Sequence, residues 1–161
     1  MVLSSCAMYQ SIVKSSFPYT ATLVVPASSK SGSESSAISM ATSFDQNFRK
    51  KNGDRITMVR IVSAKLMSTE PADFNLGNIA EVRIYLSKDD GQDEIMVASR
   101  SDIGANVGND VVLDIDNSHM LDELVRESQI RVRRTYKMRK AIKVDASVQV
   151  VLGLAAYPAS R

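Results

Sequence analysis

The sequence predicts an all-β protein: an antiparallel β-sandwich, immunoglobulin-like or jelly-roll, of about eight strands with one or two short helices in its loops. Three observations carry that prediction. The first lies near the end of the chain. Val144, Ala146, Val148, Val150, Leu152, Leu154 and Ala156 fall on one face, and Asp145, Ser147 and Gln149 on the other. A period of two held that long means a strand with one face in a core. The second is a hairpin. Val82, Ile84 and Leu86 alternate with Arg83 and Tyr85, and Lys88-Asp89-Asp90-Gly91-Gln92-Asp93 returns the chain into Glu94–Arg100. Asp-Gly is a strong turn signal because glycine reaches positive φ without steric cost. The third is the succession of strands without a helix between each pair, which excludes a βαβ parallel sheet.

Taken in order, residues 1–16 form a start and tether, 17–157 a single sandwich domain, and 158–161 a tail. Phe17–Val25 alternates as a first strand, ended by Pro26. The Ser-rich stretch Ala27–Ser36 reads as a loop, and Ala37–Thr42 as a short second strand. Ser43–Lys51 has the marks of a short helix. Ser43 and Gln46 fit a capping box, Phe44 and Phe48 share a face as a lid on the core, and Gly53 follows. Ile56–Met67 is a long strand with Ile56, Met58, Val62, Ala64 and Leu66 facing inward, interrupted by Arg60. Ser68–Gly77 links it to the hairpin, with Phe74, Leu76 and Ile79 tucked under the sheet edge.

Ser101–Asn109 contains Gly104 and Gly108, but not in the spacing of a phosphate-cradling loop, and a strand follows it rather than a helix. It is read as a structured loop before the strand holding Val111, Leu113 and Ile115. Asn117-Ser118 caps a helix over His119–Glu127 with an apolar stripe of Met120, Leu121, Leu124 and Val125. Gln129–Met138 and Val144–Tyr157 are the two closing strands, joined by the basic link Arg139–Lys143.

Charge is uneven. The whole chain has a net charge of +2, whereas Arg126–Lys143 holds eight basic residues against the single acid Glu127. The row Arg131, Arg133, Lys137, Arg139 and Lys140 is a candidate anion-binding surface. The competing reading is an edge strand kept from aggregating by its charge. No aromatic ladder accompanies the row, which argues against a nucleic-acid surface. Arg134 falls in phase with Ile130, Val132, Tyr136 and Met138, on the face that should be buried. A buried Arg needs a partner, so either an acid such as Asp114 or Glu81 reaches it, or a bulge turns it outward.

The chemistry of enzymes finds little foothold. His119 is the only histidine and Cys6 the only cysteine, so neither an intrachain disulfide nor a Cys/His metal cluster can form. The acids at 89–94 invite calcium but lack EF-hand spacing, and a plain turn is the better reading. No nucleophile–base pair or nucleotide loop is evident, and no cofactor is expected. The prediction is a non-enzymatic protein.

Leu3-Ser4-Ser5-Cys6 resembles a bacterial lipobox, an aliphatic and two small residues before a cysteine. Only Met1 and Val2 precede it, so this reading takes the signal segment as lost from the start. Together with the Ser-rich stretch and the sandwich pattern, the layout is similar to small envelope lipoproteins of Bacteroidetes. That resemblance implies a lipid on Cys6, a periplasmic or outer-membrane location, and a structural or binding role toward a protein or glycan. It carries over no catalytic residue. The loops expected to present a binding surface are Ala27–Ser36, Lys88–Asp93 and Ser101–Asn109. The alternatives are a polyanion-binding module using 126–143, an assembly subunit, and, if the lipobox is accidental, a cytoplasmic protein.

Overall fold

A computed structural model describes residues 13–14, 19–42, 56–127 and 129–158. The strands are β1 (Val13–Lys14), β2 (Tyr19–Val25), β3 (Glu34–Thr42), β4 (Ile56–Glu70), β5 (Ile79–Ser87), β6 (Ile95–Arg100), β7 (Asp110–Val112), β8 (Asp114–Ile115), β9 (Gln129–Met138) and β10 (Ala146–Pro158). One five-residue helix, α1 (Asp122–Arg126), and one 3-10 turn, Leu76–Asn78, complete the described elements. The helix expected over Ser43–Lys51 and its Phe44–Phe48 pair fall outside the described residues, as does Cys6.

Two of the strands are broken stretches. β1 and β2 both lie along one side of β10, with Val13 opposite Ala156 and Tyr19 opposite Leu152. β7 and β8 are separated by Leu113 alone, where the chain leaves one sheet for the other: β7 pairs with β4, and β8 with β6. Counted as stretches, eight strands remain. The first pairs with the last, β3 with β9, β4 with β7, and β5 with β6. That nesting is one long antiparallel hairpin rolled up into two sheets, which is a jelly roll. One sheet runs β1/β2–β10–β4–β7 and the other β3–β9–β5–β6–β8. An antiparallel sandwich was expected, and the pairing selects the jelly roll over the immunoglobulin-like alternative.

Between the sheets lies one continuous core. Leu23, Leu66, Val150 and Leu152 from one sheet and Ile84, Val97, Val132 and Met138 from the other are at most 3% exposed. One side of the sandwich is closed by the crossing at Leu113, whose N–H donates to Ala64 O at 2.9 Å, while Asp116 N donates to Val97 O at 2.9 Å. The opposite side is bounded by the edge strands β2 and β3, which face each other across it.

Several expectations change in phase or extent. β9 is not an edge strand: it lies between β3 and β5, so its charge does not serve to shield a free edge. On β4 the buried residues are Val59, Ile61, Ala64 and Leu66, whereas Met58 and Val62 are exposed. The cause is a bulge. Opposite β10, Ser63 pairs with Gly153 and Ile61 with Leu154, so Val62 is an extra residue and the inward phase shifts by one across it. Arg60 thus falls outside the core, where it donates to Met120 Sδ. Val144 precedes β10 and is 58% exposed. The helix is shorter than its apolar pattern: Leu121, Leu124 and Val125 are buried, but Met120 is 43% exposed. Asn117-Ser118 does not cap it, because Asp116 Oδ1 draws Ser118 N into a local turn at 3.0 Å instead.

Candidate functional site

The rolled-up hairpin sends its connections to two ends. The links 26–33, 71–78, 101–109 and 139–145 gather at one end, and 88–94 and 116–127 at the other. The first end is tied together by hydrogen bonds between loops. Asn75 is one knot: its Oδ1 accepts from Gly77 N at 3.0 Å and Gly108 N at 3.1 Å, and its Nδ2 donates to Ala105 O at 2.8 Å. Leu76 N donates to Gly108 O at 2.7 Å, and Asn109 Nδ2 to Ala72 O at 3.0 Å. Arg139 is the second knot. Its N–H donates to Asn78 O at 2.7 Å, its guanidinium donates to Ile103 O, and its carbonyl accepts from Ser31 Oγ at 2.8 Å. Ala27 N donates to Asp145 Oδ1 at 2.8 Å, which joins the first link to the last.

Four loops held this way form a preorganised surface. A partner meeting it need not bear the cost of ordering mobile loops. The closest approach is at Gly77. A Cβ there would lie 2.2 Å from Ala105 O and 2.6 Å from Gly104 O, both backbone atoms. Gly77→Ala is therefore expected to push the 71–78 and 101–109 loops apart and cost about 1–3 kcal/mol. A urea midpoint unchanged from the parent protein would refute that contact.

Of the three loops expected to present a binding surface, Ala27–Ser36 and Ser101–Asn109 meet here, although Glu34–Ser36 proves to be the start of β3 and shortens the first, while Lys88–Asp93 is at the far end. There Gly91 has φ +86° and Asp93 φ +55°, which accounts for the turn. Lys88 Nζ lies 3.2 Å from Asp93, and this contact raises the Lys88 pKa. Among the described residues no group of three or more His, Cys, Asp or Glu is placed to hold a metal ion.

The basic row is divided by the fold. Arg131, Arg133 and Lys137 do lie on the outer face of β9, but Arg139 turns to Ile103 O, while Lys140 stays exposed in the link. Arg133 is already paired, its Nε 2.9 Å and its Nη2 2.5 Å from the two carboxylate oxygens of Glu94, with its guanidinium 4.2 Å from the Tyr85 ring centroid. The Arg133 hydrogen bond holds the Glu94 carboxyl below its usual range. Lys137 stands between Glu34 and Glu81 in the strand ladder, and Arg131 lies over Gly91. Among the described residues Arg133 alone of the row forms an ion pair, which takes its charge out of a polyanion-binding surface.

Arg134 meets neither expected fate. It is 2% exposed, so it does not turn outward, and β9 keeps an unbroken register against β3 beside it. No Asp or Glu among the described residues forms an ion pair with it; Nη1 donates instead to Ser39 Oγ at 2.5 Å and to Val132 O at 3.3 Å. Nε is buried without a partner among the described residues. Burial pushes the guanidinium pKa below its ordinary value. Sequence showed that Arg134 is in phase with the core. It could not show that Ala37, the small residue across from it, leaves the side chain room to stay inside. Asn75 and Gly77 were missed for another reason: the bonds of Asn75 and the close approach at Gly77 involve residues about thirty positions away.

No family model and no curated protein matches this chain. Solved structures do match, at low identity. A structure of Nora virus covers 94% of this chain at 11% identity and TM-score 0.37, and the match spans 62% of that protein, so the chain is less than two thirds of its length. Desmodium yellow mottle tymovirus covers 94% of this chain at 11% identity and TM-score 0.28, and 90% of its own chain. A carbohydrate-binding module of the β-sandwich superfamily covers 94% of this chain and 58% of its own, at 7% identity and TM-score 0.36. At these scores the likeness is one of general architecture.

Proposed function

We propose that this protein is a non-enzymatic, lipid-anchored protein of the bacterial cell envelope, with a structural or binding role carried by its four-loop end. The observation that supports it is the opposition of two ends. Val13 pairs with Ala156, close to the end of β10, whereas the four-loop end lies at the start of that strand. β10 is 13 residues long, which at a rise of about 3.3 Å per residue separates the two ends by roughly 40 Å. A lipid on Cys6, a few residues before Val13, would hold the protein by one end and leave the tied loops at the other end facing away. The partner's chemistry, protein or glycan, would be met by the backbone-rich surface around Ser31, Asn75 and Ala105.

The test is expression from the gene together with whatever sequence precedes Met1 in it. Mass spectrometry of the N-terminal peptide is expected to find acyl chains on Cys6, and the protein to fractionate with membranes. Cys6→Ala is expected to move it to the soluble fraction without altering its melting temperature. An unacylated Cys6 in membrane-competent cells would overturn the anchor.

A further inference from the structure

The side of the sandwich between β2 and β3 differs from the rest of the core. The inner face of β3 carries Ser35, Ala37, Ser39 and Ala41, all small and all half-buried. Beneath them lies Arg134, 2% exposed, directly across from Ala37. Nη1 is taken up by Ser39 Oγ at 2.5 Å and by Val132 O. Nε has no partner among the described residues. A guanidinium presents five N–H donors in a flat fork, and the edge bearing Nε is one of those that grip a carboxylate or phosphate with two parallel bonds. A buried cation whose fork lacks an acceptor is costly to keep, and the small β3 side chains leave it covered by little bulk.

We propose that Arg134 and Ser39 form a binding site for a small oxyanion, a carboxylate or a phosphate group, entering between the edge strands β2 and β3. Arg134 supplies the charge and the Nε–H donor. The half-buried Ser39 hydroxyl, already on Nη1, fixes the fork. The site is unrelated to the outward row on β9: Arg131, Arg133 and Lys137 lie on the opposite face of the same strand.

The experiment is a melting and NMR titration of the full 161-residue chain at constant ionic strength, replacing chloride by acetate in one arm and by inorganic phosphate in the other. At least one anion is expected to raise the melting temperature saturably by several degrees and to shift the Arg134 Nε–Hε resonance along the same curve. A response to acetate alone assigns the site to carboxylates, such as an acidic side chain of a partner. A response to phosphate alone assigns it to phosphate groups. Arg134→Met is expected to abolish the response, and Ser39→Ala to raise the half-saturating concentration at least five-fold. Should Arg134→Met not fold, the wild-type Nε–Hε shift and Ser39→Ala decide. Flat titrations with both anions, or the same curve in wild type and Ser39→Ala with no movement of the Arg134 resonance, would overturn the proposal.

Discussion

Asp122→Ala will lower the unfolding free energy by about 3 kcal/mol, the sum of hydrogen bonds to a charged acceptor and the desolvation of the donors left behind. The Asp122 carboxylate opens α1 and takes three donors from the start of β4. Val59 N is 2.8 Å from Oδ1; Met58 N is 2.9 Å and Thr57 Oγ1 3.2 Å from Oδ2. The backbone needs this support. Met58 has φ +54°, a conformation disfavoured for a residue with a long side chain, and the next residue, Val59, is fully buried. The neighbouring bond from Leu121 N to Val59 O at 2.8 Å docks the helix onto β4 but satisfies none of those three donors. For a chain of this size the loss corresponds to a fall in melting temperature of roughly 6–12 °C. Asp122→Asn keeps one acceptor oxygen and is expected to cost about half as much. Thermal scans of the two variants that coincide with wild type would show that the bend in β4 holds without the carboxylate.

Arg134→Met is expected to act in the other direction. In a chloride buffer free of carboxylate and phosphate it should raise the unfolding free energy by about 1–4 kcal/mol, the range found when buried charges give way to apolar side chains of similar volume. In the ladder Arg134 stands between Ile84 and Ala37 rather than between acids. The bond to Ser39 Oγ is lost, but that hydroxyl is half-buried and can turn to water. The readout is the urea midpoint at unchanged slope, so that a change in stability is separated from a change in the exposed surface. Destabilisation by more than about 1 kcal/mol would mean that the folded protein already compensates the guanidinium. A residue retained at such a cost is better understood as serving a ligand than the fold, which is the link to the oxyanion site.

How much of this was legible beforehand depends on the range of the interaction. β9, β10 and the β5–β6 hairpin are readable because their information is local: alternation with period two, and an Asp-Gly turn. Which strands pair is not local. The jelly roll rests on contacts such as Tyr19 with Leu152, more than a hundred residues apart, and alternation in each strand is the same whatever its neighbour. β9 shows the consequence, since its charged face suits an edge as well as a central strand flanked by Glu34, Glu81 and Glu94. Bulges defeat phase counting, as at Val62, where the inward set changes parity within one continuous strand. The candidate site divides in the same way. The lipobox-like tetrapeptide is a local pattern around Cys6. The tied loop end depends on Asn75 and Arg139 reaching loops distant in the chain, and the oxyanion site on a serine 95 positions before its arginine.

The proposed lipid on Cys6 would hold the protein by its start, with the four-loop end turned away from the membrane. Single labels placed at exposed Lys140 in the 139–145 link and at exposed Glu123 on α1 report the two ends. With mature protein on native envelope vesicles, a quencher confined to the lipid headgroups is predicted to dim a fluorophore at 123 strongly and one at 140 little, in keeping with a separation of roughly 40 Å. Equal quenching at both positions, or stronger quenching at 140, would contradict it.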